Sequence, residues 1–302
     1  MMPICLVTGF LGTGKTTLLK RIVETNRKRR LAYLINEFSP TDVDGAILSE
    51  ENPNVISIPG GSIFCRCLVS EFIARLTEIA KANPPFEGVV IEASGMADPG
   101  VISEMLSETR LDRRFSLANV VTIVEPRSFL RLIHTLPNVT RQVRAARLLL
   151  LNKCDLFDDA ELEKTEEALR AIRPEPRVLR CVNADAPFDL FPAAPVESGT
   201  LRGEYAKCRD PSYATFTLRI PAGTPISRVM TLIEENESAL YRVKGGWNAD
   251  DAEAIRFDWS AAGLSLEPAS EKGAAGDLIW ICRGDAANSV EKAARKLEES
   301  NT

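Results

Sequence analysis

PICLVTGFLGTGKTTLLK, residues 3–20, is an apolar run that breaks at a glycine and resumes as a helix. Pro3 to Thr8 reads as a buried strand, and Thr17 to Lys20 as the start of a helix. Between them, Gly9-Phe10-Leu11-Gly12-Thr13-Gly14-Lys15-Thr16 fills G-x-x-x-x-G-K-[ST] in the strand–loop–helix context that pattern requires. Glycines let backbone N–H groups turn inward around phosphate oxygens, and the helix N-terminus adds a positive dipole end. Gly9, Gly12, Thr13, Gly14, Lys15, Thr16 and Thr17 are therefore the expected phosphate site. Lys15 is expected to reach the β- and γ-phosphates and to stabilise transition-state charge, and Thr16 to ligate Mg²⁺. An incidental glycine turn is the alternative, and the flanks weigh against it.

Downstream the chain alternates strands and helices. Leu31 to Ile35 reads as a buried parallel strand delivering Asn36 and Glu37 to its C-terminal end, where open α/β sheets place ligands. Gly88 to Glu92 is a strand ending in a carboxylate, followed by Ala93-Ser94-Gly95. Beside a phosphate loop, Glu92 is expected to position Mg²⁺ or a nucleophilic water, and Gly95 to let backbone approach a γ-phosphate. Arg147 to Leu151 delivers Asn152-Lys153-Cys154-Asp155. The Asp155 carboxylate can accept from guanine N1–H and the exocyclic amine, the Asn152 amide can bond the base, and the Lys153 stem can pack along its face. Adenine lacks that pair of donors, so the tetrapeptide selects GTP over ATP.

A second feature follows strand Val55 to Ile58. Pro59 to Cys67 carries a glycine pair and then Cys65-Arg66-Cys67. Two thiols on one loop suit Zn²⁺, Cu⁺ or Co²⁺, and Arg66 would favour thiolate. Two ligands do not complete a site, and two packing cysteines are the bland alternative.

The stretch 186–210 is rich in Pro, Ala and Gly and reads as a linker between a GTPase domain at 1–185 and a small α+β domain at 211–302. The fold expected is α/β: a doubly wound, mostly parallel sheet plus that second domain. In the second domain, Ala214 to Ile220 alternates as a strand buried on one face, and Lys244 to Trp247 reads as a turn around its two glycines.

Composition bounds the rest. Hydrophobic content of 45% and charged content of 26% over 302 residues suit a globular chain with one large and one small core. A net charge of −5 carries no broad basic footprint, so no nucleic-acid partner is expected. No apolar run is long enough to span a bilayer, so no membrane is expected either. Seven cysteines in a chain that enters its first strand at once imply free thiols or metal ligands in a reducing, cytoplasmic compartment. One histidine, His134, excludes a histidine-rich metal site.

TGFLGTGKTTLL at 8–19, INEF at 35–38, GGSIFC at 60–65, IEASGMADP at 91–99, LLNKCDL at 150–156 and YRVKGG at 241–246 together resemble the CobW branch of P-loop GTPases, relatives of the UreG and HypB metallochaperones. The resemblance covers nearly the whole chain. It implies Mg-dependent hydrolysis of GTP to GDP and phosphate, coupled to delivery of a metal, with Zn or Co as candidate cargo. It also implies that Glu37 lies near Mg²⁺ or the transferred metal, and that Glu92 and Gly95 form the family's ExxG motif. The implied partner is a client metalloenzyme or corrinoid protein, with a homodimer as a further assembly to consider. The family usually carries GG-C-x-C-C. Here Ser62 and Phe64 replace the first two thiols, Cys65 matches the third and Cys67 is additional, so Cys65 and Cys67 with Glu37 would form an altered site. The alternative is a GTP-switched protein that remodels a client and carries no metal. A kinase-like phosphotransferase is a weaker reading, opposed by Asn152 to Asp155.

Overall fold

Strand β1, Met2–Thr8, lies at the heart of a sheet covered on both faces, which is why it reads as a continuous apolar run. Ile4 and Leu6 pack into one core and Cys5 and Val7 into the core on the opposite face, as strand alternation requires. The structure, a computed structural model, describes residues 1–37, 52–59, 69–193, 201, 203, 213–249, 254–261, 263–268 and 276–298. Cys65 and Cys67 lie outside the described residues, as does the side chain of Glu37.

Two compact units divide the chain, Met1–Cys208 and Arg209–Thr302. In the first, β1 is followed by α1 Lys15–Thr25, β2 Leu31–Glu37, β3 Val55–Pro59, α2 Val69–Lys81, β4 Gly88–Glu92 and α3 Val101–Glu108. Then come β5 Phe115–Val124, α4 Pro126–Leu132, α5 Pro137–Ala145, β6 Leu148–Leu151, α6 Asp159–Ile172 and β7 Arg177–Arg180. The strands form a parallel sheet in the order β3-β2-β4-β1-β5-β6-β7. This is the doubly wound α/β architecture, and its strand order places the loops after β1 and β4 side by side. Helix α2 buries Phe72, Leu76 and Ile79 on one face of the sheet, while α1 buries Leu18, Leu19, Ile22 and Val23 on the other. Helix α6 opens with a capping box, Asp158 accepting from Glu161 N at 2.8 Å.

The stretch expected as a linker from residue 186 begins as part of the first unit. Leu190 is buried in the α1-side core, and Ala186, Phe188 and Phe191 pack against it. Aromatic side chains outweigh the local Pro and Ala signal because burying them gains more than leaving them in water.

The second unit holds an antiparallel sheet ordered β11-β10-β9-β12-β8, with β8 Tyr213–Arg219, β9 Leu240–Asn248, β10 Ala254–Ser260, β11 Gly263–Pro268 and β12 Asp277–Arg283. Helices α7 Ile226–Glu235 and α8 Ala287–Arg295 contribute Val229, Ile233, Val290 and Ala294 to its core, around Trp247, Phe257 and Trp280. Residues 244–247 are not a turn: they run through β9, paired with β10 and β12. The glycine serves close approach instead, since a Cβ on Gly245 would sit 2.0 Å from Asp277 O and 2.8 Å from Leu278 Cδ2. Gly245→Ala is expected to destabilise this unit by about 2 kcal/mol through overpacking against backbone. Denaturant unfolding followed by tryptophan fluorescence checks it, and an unchanged midpoint would contradict the close approach.

Candidate functional site

The loop 9–14 leaves the end of β1 and enters α1 without a side-chain cap. No acidic residue occupies the first turn of α1, so its N-terminal N–H groups and dipole face the loop uncompensated by charge from that turn. Gly9, Gly12 and Gly14 all have positive φ, at 144°, 76° and 107°. Gly14 is constrained twice: its φ disfavours a side chain, and a Cβ there would lie 2.5 Å from Asn152 Nδ2. Lys15 is buried, and its Nζ donates to Phe10 O at 2.9 Å, an acceptor shared with Thr13 Oγ1 at 2.9 Å. The ammonium is thus folded back over the loop. Thr16 is half-buried and Thr17 exposed at the start of α1.

Glu92 ends β4 between β1 and β2, opposite Val7 and Ile35, and is buried. Ala93 N donates to Val7 O at 2.9 Å, which carries the next residues, Ser94 and Gly95, to the phosphate-loop side of the sheet. The buried hydroxyl oxygens Thr8 Oγ1 and Ser94 Oγ have no hydrogen-bond partner among the described residues. Unsatisfied buried hydroxyls at the C-terminal ends of β1 and β4 fit a site that takes a polar ligand.

The tetrapeptide Asn152 to Asp155 follows β6. Asn152 is buried, and its Nδ2 donates to Thr13 O at 2.9 Å while its Oδ1 accepts from Ala184 N at 2.7 Å. It therefore ties the phosphate loop to the loop after β7. A side-chain amide carries two N–H donors, and the bond to Thr13 O uses one of them. Lys153 adopts a left-handed φ of 63°, and the short turn Cys154–Leu156 leaves Asp155 exposed. Cys154 Sγ donates to Leu151 O at 3.1 Å, and burial pushes its thiol pKa up. Cys181, beside it, is pushed up to about 12, mainly by burial. Both are packing thiols.

Several polar residues around the site lie outside the phosphate loop and the tetrapeptide. Asn36 bridges strands: its Nδ2 donates to Ile58 O at 3.3 Å and its Oδ1 accepts from Ser94 N at 3.3 Å. Glu125 is fully buried and caps α4, accepting from Arg127 N, Ser128 N and Ser128 Oγ. On the loop after β4, Asn138 donates to Met96 O and Gln142 to Gly95 O, and Asp98 pairs with Arg141. The available signals were an acidic residue just before Pro126, which is a capping pattern, and the i, i+4 spacing of Asn138 and Gln142. Among the described residues no group of three or more His, Cys, Asp or Glu side chains could hold a metal ion, and no helix is long and apolar enough to cross a membrane.

A doubly wound parallel sheet, a glycine loop of positive-φ residues after its first strand, and an uncapped helix start define a P-loop nucleotide-binding protein. Residues 3–180 match the CobW/HypB/UreG nucleotide-binding domain, and the chain belongs to that family. It is similar to zinc-regulated GTPase metalloprotein activator 1 of Dictyostelium discoideum, 25% identical over 88% of this chain and 66% of that protein. It is also similar to the zinc chaperone YjiA of Escherichia coli (strain K12), 31% identical over 63% of this chain and 60% of that one. The match thus spans less than two thirds of the length of either relative. Among solved structures, Zn(II)-bound YjiA GTPase from E. coli aligns over 98% of both chains at 22% identity, with a TM-score of 0.43.

Proposed function

We propose that the chain is a Mg-dependent GTPase, converting GTP to GDP and phosphate, that acts as a metallochaperone or activator of a client metalloenzyme. The observation that carries the nucleotide reading is the 2.9 Å bond from Asn152 Nδ2 to Thr13 O, which joins the phosphate loop and the base-reading tetrapeptide in one bipartite site. In this reading Gly9, Gly12, Thr13, Gly14, Lys15, Thr16, Thr17 and Gly95 hold the phosphates, and Asn152, Lys153 and Asp155 hold guanine. Lys15 would exchange its Phe10 O acceptor for phosphate oxygens. Mg²⁺, when bound, would neutralise phosphate charge, with the Thr16 hydroxyl as a ligand and Glu92 holding it through water or orienting the attacking water. The donor chemistry suits it: a hydroxyl and a carboxylate are hard oxygen ligands.

Metal carriage rests on family membership, on similarity to a zinc-regulated metalloprotein activator and a zinc chaperone, and on Glu37, Cys65 and Cys67 in the sequence. A client metalloenzyme or corrinoid protein is the partner this implies. The test is titration of Zn²⁺ and Co²⁺ into reduced protein loaded with GDP or with a non-hydrolysable GTP analogue. Metal affinity that differs between the two states supports the coupling. Binding of guanine nucleotide with equal metal affinity in both states, or with no metal bound, favours a GTP-switched client-remodelling protein instead.

A further inference from the structure

Helix α5 matches none of the nucleotide motifs, yet it is bonded to three consecutive residues of the loop after β4. Asn138 Nδ2 donates to Met96 O at 2.8 Å, and Gln142 Nε2 donates to Gly95 O at 3.0 Å and to Ala97 O at 3.2 Å. One residue further along that loop, Arg141 Nη1 lies 3.6 Å from Asp98 Oδ2. Gln142 is 1% exposed and Asn138 8%. The backbone carbonyl of Gln142 accepts from Thr122 Oγ1 at 3.0 Å, which anchors the helix to β5. Burying two amide side chains is costly unless they find partners, and apolar residues would pack there without that cost. Their partners are three adjacent main-chain carbonyls, so what they control is the direction of the backbone.

That direction has a chemical consequence. The C=O and N–H of one trans peptide point opposite ways. With Gly95 O drawn toward α5, the Met96 N–H is aimed away from it. Ser94 O is taken by Ala97 N at 3.0 Å, which sets the Gly95 N–H in turn. Gly95 also abuts the phosphate loop, where a Cβ would lie 2.9 Å from Leu11 N and 2.6 Å from Leu11 Cδ2.

We propose that Gln142 and Asn138 are positioning residues that hold the Gly95–Ala97 backbone where it meets a third phosphate, so that helix α5 sets the preference for nucleoside triphosphate over diphosphate. The proposal rests on the guanine-nucleotide reading above. Neither side chain touches nucleotide; both act through the loop.

Gln142→Met keeps the length of the side chain and removes the donor. Titration of the full chain with GDP and with a non-hydrolysable GTP analogue is expected to leave GDP affinity within about twofold of wild type while analogue affinity falls about tenfold, the scale of losing two neutral hydrogen bonds. The kcat for GTP is expected to fall by a similar factor. Asn138→Ala, which leaves Gln142 in place, is expected to move the same ratio in the same direction by less, and it carries the test should Gln142→Met not fold. A purely structural role would weaken both nucleotides together. Equal losses, or an unchanged ratio in a folded variant, overturn the positioning role. Wild-type protein that binds neither nucleotide overturns the guanine reading itself, and this proposal with it.

Discussion

Lys15→Ala is expected to lower GTP turnover by a factor of about 100 or more, the scale seen when one preorganised donor to transition-state charge is removed. The loop amides and the helix N-terminus remain, so nucleotide binding should weaken less than turnover falls. The fold should persist. Lys15 Nζ shares Phe10 O with Thr13 Oγ1, so the carbonyl keeps an acceptor role when the ammonium is lost. The stability cost is about 1.5–3 kcal/mol, the scale of a hydrogen bond made by a charged group. Phosphate release at saturating GTP, with circular dichroism as the control for folding, checks this. Turnover that survives the substitution would remove the catalytic role of the lysine.

Asp155→Asn is expected to weaken guanine-nucleotide binding by about 100-fold, since hydrogen bonds to a charged acceptor contribute about 1.5–3 kcal/mol and each 1.4 kcal/mol is tenfold. Asp155 is exposed in the short turn after β6, so the change should act on the ligand rather than on the core. The chemistry also gives a gain to look for. Asparagine offers an N–H where aspartate only accepts, and xanthine presents a carbonyl where guanine presents its amine. Relative affinity should therefore move toward xanthosine nucleotides. Competition between GDP and xanthosine diphosphate measures it, and an unaltered preference would mean that the base is read elsewhere.

How far the site could be read in advance follows from where each residue's constraint comes from. β1, the glycine loop and α1 are neighbours in the chain, and each carries its own local signal: an apolar run, residues tolerant of positive φ, and a helical pattern. The tetrapeptide at 152–155 is likewise contiguous, so the proposal for it could be made from sequence, although its bond to Thr13 could not. Asn138 and Gln142 are not legible in that way. A polar side chain on a helix or strand is solvated by default, and only the chain segment packed over it makes it a buried donor. Gln142 meets Gly95 and Ala97 across more than forty positions of sequence.

The glycines at 245 and 246 make the point from the other side. A glycine pair beside a lysine has the local chemistry of a turn, and nothing nearby in the chain contradicts it. Strand β12 contradicts it, by bringing Asp277 O to where a side chain on residue 245 would stand. Likewise the Pro- and Ala-rich stretch after 186 has the composition of a linker, yet Leu190 and its aromatic neighbours find apolar partners on the α1 side of the sheet.

Local chemistry was enough to establish the nucleotide-binding class of this chain, because phosphate is recognised by a short, contiguous run of backbone and side chain. Long-range packing was needed to show that Asn152 braces the phosphate loop and that α5 grips the loop after β4. Those bonds join residues far apart in the chain, and no periodicity or composition records which buried donor will face which carbonyl.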